Sequence, residues 1–252
     1  MFLLNNYDII YDLIDKVQVD IVYPLSIIEG KQQGEVFVDN LDKPTVALFW
    51  HYCGFAYIAG KYDEKFLSGI IHMMKNPEVG HSGRLALQAG KEESVLDAFM
   101  KDCGIKKEEQ YLFKFIDRNE YIPKVEDKYE LVEINMSNYD MLSGRITPTF
   151  SWQSKEAFLE NGFGYCLLIN GKFAACSFSA GISNEYVDIG VETAIEYRGK
   201  GFGKMVAAAM VSEICNRGMI PVWECNTSNT ASMKLACSIG FCIKDVHPLY
   251  FL

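Results

Sequence analysis

The stretch Glu196-Tyr197-Arg198-Gly199-Lys200-Gly201-Phe202-Gly203-Lys204 decides how this 252-residue chain is read. It follows a strand-like run, Tyr186–Thr193, in which Val187, Ile189 and Val191 alternate with Asp188, Gly190 and Glu192. It leads directly into a helical run, Met205–Asn216, with Val206, Met210 and Ile214 on an apolar stripe and Arg217-Gly218 at its end. Glycines at 199, 201 and 203 let the backbone curl tightly and come close to a ligand. A helix beginning there leaves its first N–H groups unpaired and its positive end exposed. Arg198, Lys200 and Lys204 add positive charge with no acid among them. Together these features favour an anionic phosphate, and the stretch reads as a pyrophosphate cradle.

Two well-known phosphate templates fail here. A Walker A loop needs glycine at 198 and Ser or Thr at 205, where this chain has Arg198 and Met205. A dinucleotide fingerprint starting at Gly199 needs glycine at 204, which is Lys204, and has no acid at the ribose position. The pattern that fits is Arg-x-x-Gly-x-Gly, on Arg198, Gly201 and Gly203. Downstream, a strand is expected over Ile220–Cys225, a helix over Asn229–Ser238 and a last strand from Phe241. Asn229, Ser232, Leu235, Gly240 and Phe241 stand at the spacing Asn-x-x-Ala/Ser-x-x-Leu-Tyr-x-x-x-Gly-Phe. These two motifs resemble the acyl-CoA pyrophosphate loop and the following helix of the GNAT superfamily of N-acyltransferases. The resemblance covers residues 130–245 or so. With Gly34–Asn40 and Pro221–Asn226, the whole chain is similar to a GNAT family that carries an additional N-terminal half.

The resemblance implies an acetyl-CoA-dependent N-acetyltransferase acting on a primary amine of a small molecule or peptide, by direct attack in a ternary complex. Its co-substrate is acetyl-CoA, with no metal. The backbone of Gly199, Lys200, Gly201, Phe202, Gly203 and Lys204 is expected to hold the pyrophosphate, with charge from Arg198 and Lys200. The main chain of Val191, Glu192 and Thr193 is expected to meet the pantetheine arm in a gap beside Ile220–Cys225. Asn229 and Ser232 are expected to line the wall. Amine acetylation needs a proton acceptor, for which Asp188, Glu192 and Glu224 are the candidates. Asp188 and Glu192 share a strand face, where neighbouring carboxylates raise one another's pKa. The motif's Tyr, the usual general acid, is replaced by Ala236. Tyr250 and Tyr197 are candidates for that role, or water serves. The alternative is a non-catalytic acyl-CoA-binding or sensing protein. A further option is an interaction domain whose glycine loop only caps a helix.

Around this core the chain divides. Ile116–Lys128 is charged, holds Pro123 and lacks apolar periodicity, which places a boundary near residue 125. Residues 126–252 are then a mixed, mostly antiparallel sheet flanked by helices, in an overall α/β (α+β) class. Residues 1–125 form an α+β half with a role in acceptor recognition or support. That half has its own hairpin, Glu35–Asp39 and Thr45–His51, comparable to Tyr165–Ile169 and Lys172–Ala180 around Asn170-Gly171. The likeness fits either a degenerate second unit of the same kind or chance. Helices are expected over Asp63–Lys75, Ser94–Cys103 and Ser154–Glu160, and a strand over Gln110–Ile116.

Composition narrows the surroundings. The net charge of −9 divides evenly, 14 basic against 19 acidic residues before the boundary and 10 against 14 after it, which argues against a nucleic-acid binder. No apolar run approaches the roughly 20 residues of a membrane helix. The start, MFLLNNYDIIYD, lacks a basic region and a cleavage site, so no secretory signal is expected. The eight cysteines form no C-x-x-C pair and mostly sit in apolar runs, as small buried hydrophobes in a reducing cytoplasm. His51, His72 and His81 are scattered and suggest no metal site. Oligomeric state is left open, with a homodimer as one option.

Overall fold

The structure is a computed structural model that describes residues 1–17, 19–76, 84–90, 94–116 and 129–252. The boundary expected near residue 125 and His81 lie outside these residues. The chain forms two compact units. The first comprises Met1–Leu112 with Asn226–Ser228 and Asp245–Leu252, the second Phe113–Cys225 with Asn229–Lys244.

In the first unit the elements are β1 (Phe2–Leu3), α1 (Tyr11–Ile14), α2 (Val22–Ile28), β2 (Gly34–Val38), β3 (Val46–His51), β4 (Phe55–Gly60), α3 (Glu64–Lys75), β5 (Ala86–Gln88), α4 (Ser94–Asp102) and most of β6 (Lys106–Phe115), whose last three residues belong to the second unit. β1, β2, β3 and β4 are antiparallel neighbours, and β4 pairs in parallel with β5. The β2–β3 turn closes on Asp39, whose carboxylate accepts from Thr45 N (2.9 Å) and Thr45 Oγ1 (2.7 Å). α3 has the expected apolar face, and Phe66, Ile70, Met73 and Met74 pack with Leu48, Trp50, Ile58 and Leu87 in the core. Its predicted first residue, Asp63, is the cap: the carboxylate accepts from Phe66 N at 2.8 Å.

The second unit contains β7 (Tyr129–Glu133), α5 (Lys155–Asn161), β8 (Gly164–Ile169), β9 (Lys172–Ile182), β10 (Tyr186–Thr193), α6 (Phe202–Asn216), β11 (Ile220–Asn226) and α7 (Thr230–Ser238), followed by β12 (Phe241–Phe251). β7, β8, β9 and β10 are antiparallel neighbours, and β10 pairs in parallel with β11. Asn170 (φ 51) and Gly171 (φ 71) are both left-handed, as a type I′ turn demands. α6 begins three residues before the expected Met205, because Gly201 serves as its N-cap.

Each unit therefore repeats one plan: an antiparallel three-strand meander, a helix, a parallel strand, a helix. The likeness of the two hairpins extends to strand pairing. The mixed, mostly antiparallel sheets with flanking helices agree with the expected class. The periodicity reading missed β1, α1, α2, β4, β5 and β7. β4 (FAYIAG) is largely buried without alternation, and β5 has only three residues, all buried. The strand expected from Gln110 starts at Lys106, because Lys106–Glu109 are exposed ladder residues with no apolar pattern. Among the described residues all eight cysteines are free, with only Cys237 exposed. No helix among them is long and apolar enough to cross a membrane.

Candidate active site

The site is organised by the end of one ladder. β10 and β11 pair at Tyr186↔Ile220, Val187↔Pro221 and Asp188↔Val222, and the pairing stops there. β10 continues to Thr193, still paired with β9, while β11 continues to Asn226. The register with β9 slips between Asp188 and Ile189, where β9 carries one extra residue, Ala180, in a bulge. Beyond Asp188 the two strands thus present facing main-chain edges that no ladder joins, a ready place for an extended chain.

The faces of β10 differ in use. Val191 packs with Leu167, Ala175, Phe202 and Val206, so α6 covers the Val187–Ile189–Val191 face. Asp188, Gly190 and Glu192 look the other way. Gly190 is required there, since a Cβ would come within 2.5 Å of the Phe178 ring. That ring is edge-on to Phe158, itself edge-on to Trp152, whose indole N–H donates to Ser179 O at 2.8 Å. An aromatic floor therefore lies between the two acids.

Asp188 and Glu192 are both buried at 9% exposure. At the strand rise of ~3.3 Å per residue they stand about 13 Å apart along β10, so they do not form the coupled pair expected from their shared face. Glu192 is instead fully engaged. Its Oε2 accepts from Arg145 N and Ile146 N, both at 3.0 Å. Its Oε1 accepts from Thr193 N and Arg198 Nη2, both at 3.2 Å. Such a carboxylate suits a brace better than a proton acceptor. Glu224 shares the face of Asp188, because Val222 is opposite Asp188 in the parallel register. It stands two residues, about 7 Å, farther along its strand.

From Thr193 the chain makes a 3-10 turn, Ile195–Tyr197, and enters the glycine loop. Gly199 (φ 75) and Gly201 (φ 84) are left-handed, and a Cβ at either would meet nothing within 4 Å. Backbone conformation, and not crowding, demands glycine there, and the surface above them is open. α6 has no side-chain cap, and its first bond runs from Met205 N to Gly201 O. The amides of Phe202 and Gly203 therefore precede the helical ladder and face the loop. Arg198 folds back, its Nε donating to Thr193 O at 3.0 Å while the side chain stays 61% exposed. Lys200 donates to Glu196 O at 2.9 Å beside the Tyr197 ring. The loop keeps its cations close while leaving amides outward, which fits an anionic diphosphate ligand.

The second motif has structural duties. Asn229 caps α7, accepting from Ser232 N at 3.1 Å. Ser232 Oγ accepts the Trp223 indole N–H at 3.0 Å. Ala236 is fully buried, so this position has no room for the motif's Tyr without displacement. Tyr250 belongs to the first unit, where its hydroxyl donates to Asp97 beneath Lys107. The structure does not bring it together with Asp188 in one unit. The residues missed by sequence reasoning are Arg145 and Ile146, whose amides donate to Glu192, and Gly144, which packs closely against its side chain. Their only signal is a lone glycine in an exposed loop. In the first unit the matching helix start is closed: only Lys61–Asp63 joins β4 to α3, and Asp63 fills its N-terminus. Among the described residues no cluster of His, Cys, Asp or Glu is placed to hold a metal ion.

This arrangement of meander, glycine loop, helix and diverging parallel strand is that of an acyl-CoA-dependent transferase fold. A family model described as GNAT acetyltransferase matches residues 15–250, and the chain belongs to that family. The family's co-substrate is acetyl-CoA. The uncharacterized N-acetyltransferase YdfB of Bacillus subtilis strain 168 is 24% identical over 242 residues, spanning 94% of this chain and 92% of that protein. The crystal structure of a GCN5-related N-acetyltransferase-like protein from Streptococcus suis 89/1591 superposes with a TM-score of 0.71 at 20% identity, covering 92% of each chain. A tandem GNAT protein from the clavulanic acid biosynthesis pathway superposes with a TM-score of 0.63 at 11% identity, covering 98% of this chain and 95% of that one. The two structures are similar in fold, the latter in agreement with the repeated plan of the two units.

Proposed function

We propose that the chain is an acetyl-CoA-dependent N-acetyltransferase that acetylates a primary amine of a small molecule or peptide by direct attack in a ternary complex. One observation carries this reading: in the second unit an uncapped glycine loop at the start of α6 adjoins the strand β10, whose ladder with β11 ends at Asp188. The amides of Gly199–Lys204 would take the pyrophosphate, with Arg198 and Lys200 beside it. The main chain of Val191–Thr193 would take the pantetheine arm in the way a strand edge takes an extended chain. Asn229 and Ser232 would shape the wall while holding α7.

The co-substrate supplies an activated thioester. The amine nitrogen bonds to its carbonyl carbon, the C–S bond breaks with the electron pair leaving on sulfur, and the amine must lose a proton. Asp188, buried at the mouth of the opening, is assigned as the acceptor of that proton. Glu224, on the same face, is assigned to holding a cationic amine. Glu192 is assigned no proton, since both its oxygens are engaged. Water or Tyr197 is left to protonate the thiolate.

The test is direct. Acetyl-CoA at about 100 times its Kd stabilises a binding fold by about 2.7 kcal/mol. For a chain of this size that raises Tm by roughly 5–10 °C, and no shift at any concentration refutes the reading. Thiol release with a panel of amines then tests transfer. Asp188→Asn is expected to lower kcat by about 10²–10⁴, and undiminished turnover removes Asp188 as the base. The buried Ala236 favours a second reading, a non-catalytic acyl-CoA-binding or sensing protein. A thermal shift without thiol release from any amine would decide for it.

A further inference from the structure

We propose that Glu192 is a positioning residue through which occupancy of the glycine loop tightens the loop 143–147. The proposal rests on the reading of the glycine loop as a CoA site. Four donors converge on the Glu192 carboxylate. Two are consecutive amides, Arg145 N and Ile146 N, on one oxygen at 3.0 Å each. The others, Thr193 N and Arg198 Nη2, share the second oxygen at 3.2 Å each. The loop is shaped to this side chain. Gly144 has φ +126, and a Cβ there would lie 2.5 Å from Glu192 Cγ. Residues 143–145 are exposed, and the carboxylate is the anchor that reaches them from the sheet.

Arg198 is the link to the glycine loop. Its guanidinium carries five N–H donors in a fixed fork. Nε is spent on Thr193 O and Nη2 on Glu192, while the side chain remains 61% exposed beside the loop. A diphosphate bound at Gly199–Lys204 competes with Glu192 for this cation. As Arg198 turns toward phosphate, the Glu192 carboxylate is less neutralised and becomes a better acceptor for its three remaining donors, the amides of Arg145, Ile146 and Thr193. The loop therefore closes on Glu192 when the site fills. By reciprocity, whatever the closed loop binds strengthens CoA binding by the same factor. The carboxylate that looks like a second catalytic acid is in this way the coupling between donor site and neighbouring loop.

Hydrogen exchange of the backbone amides of Arg145 and Ile146, followed with and without saturating coenzyme A, tests this without any amine acceptor. In the wild type their protection is expected to rise at least tenfold on adding coenzyme A. In Arg198→Gln, whose exposed side chain can change without unfolding the chain, the rise is expected to fall below twofold at saturation confirmed by thermal shift. In Glu192→Gln, if it folds, both amides should exchange faster already without ligand, with no response to coenzyme A. Coenzyme A that binds the wild type but leaves the two amides within twofold overturns the coupling, as does an unchanged tenfold rise in Arg198→Gln. Absence of any coenzyme A binding overturns the CoA-site reading itself, and the proposal with it.

Discussion

His247 makes the stability of this protein depend on pH in a defined window. It lies in β12 at 3% exposure, and burial pushes its pKa down to about 4 against a partly opposing attraction from Asp245. An unfolded histidine titrates near 6.5. Between these values the unfolded chain binds a proton that the folded chain refuses, so stability rises with pH. The contribution is fully present above pH ~6.5 and is lost as pH falls toward 4, amounting to about 3 kcal/mol. Urea denaturation of the wild type and His247→Gln, at half-unit steps from pH 7.5 to 4, reads it out. The wild type should lose about 3 kcal/mol more than the variant across that range. The carboxylates cancel from the comparison, because the wild type and His247→Gln carry the same ones. Parallel stability curves for the two proteins would refute a buried neutral His247.

Three other outcomes follow from the geometry. Gly60→Ala places a Cβ 2.1 Å from Thr45 O at φ +93; it should lower stability by about 2–3 kcal/mol through strain and a disturbed Lys61 N–H bond, and an unchanged urea midpoint would contradict this. Asp63→Ala removes the α3 cap and should cost about 1 kcal/mol, while Asp63→Asn should keep most of it, both read from Tm. In native protein at pH 8 a thiol reagent should label exposed Cys237 first. Cys166, whose pKa is pushed up to about 11 by burial, and Cys176, raised further in the same sense, should label only on unfolding. Equal labelling rates by mass spectrometry would show that the β8–β9 core is open.

The sequence by itself determined the pieces whose cause is local. Gly199 and Gly201 must be left-handed for the chain to turn from β10 into α6, and Asn170-Gly171 must make its turn, whatever surrounds them. The Arg198–Gly203 spacing and the Asn229 cap belong to the same class, and so the family and the glycine loop were legible. Tertiary structure alone decided what depends on distant partners. That the β10–β11 ladder stops at Asp188 is a matter of register and twist, which alternation along one strand does not record. Glu192 meets Arg145 and Ile146 from 47 and 46 residues away, and only that meeting turns a candidate base into a brace. The C-terminal residues Asp245–Leu252 join the first unit, with Leu249 and Tyr250 on Gln88 and Leu87, and so Tyr250 bonds to Asp97. Such pairings are chosen by packing and hydrogen bonding between segments far apart in the chain, and a local pattern carries no information about which distant edge a strand will meet.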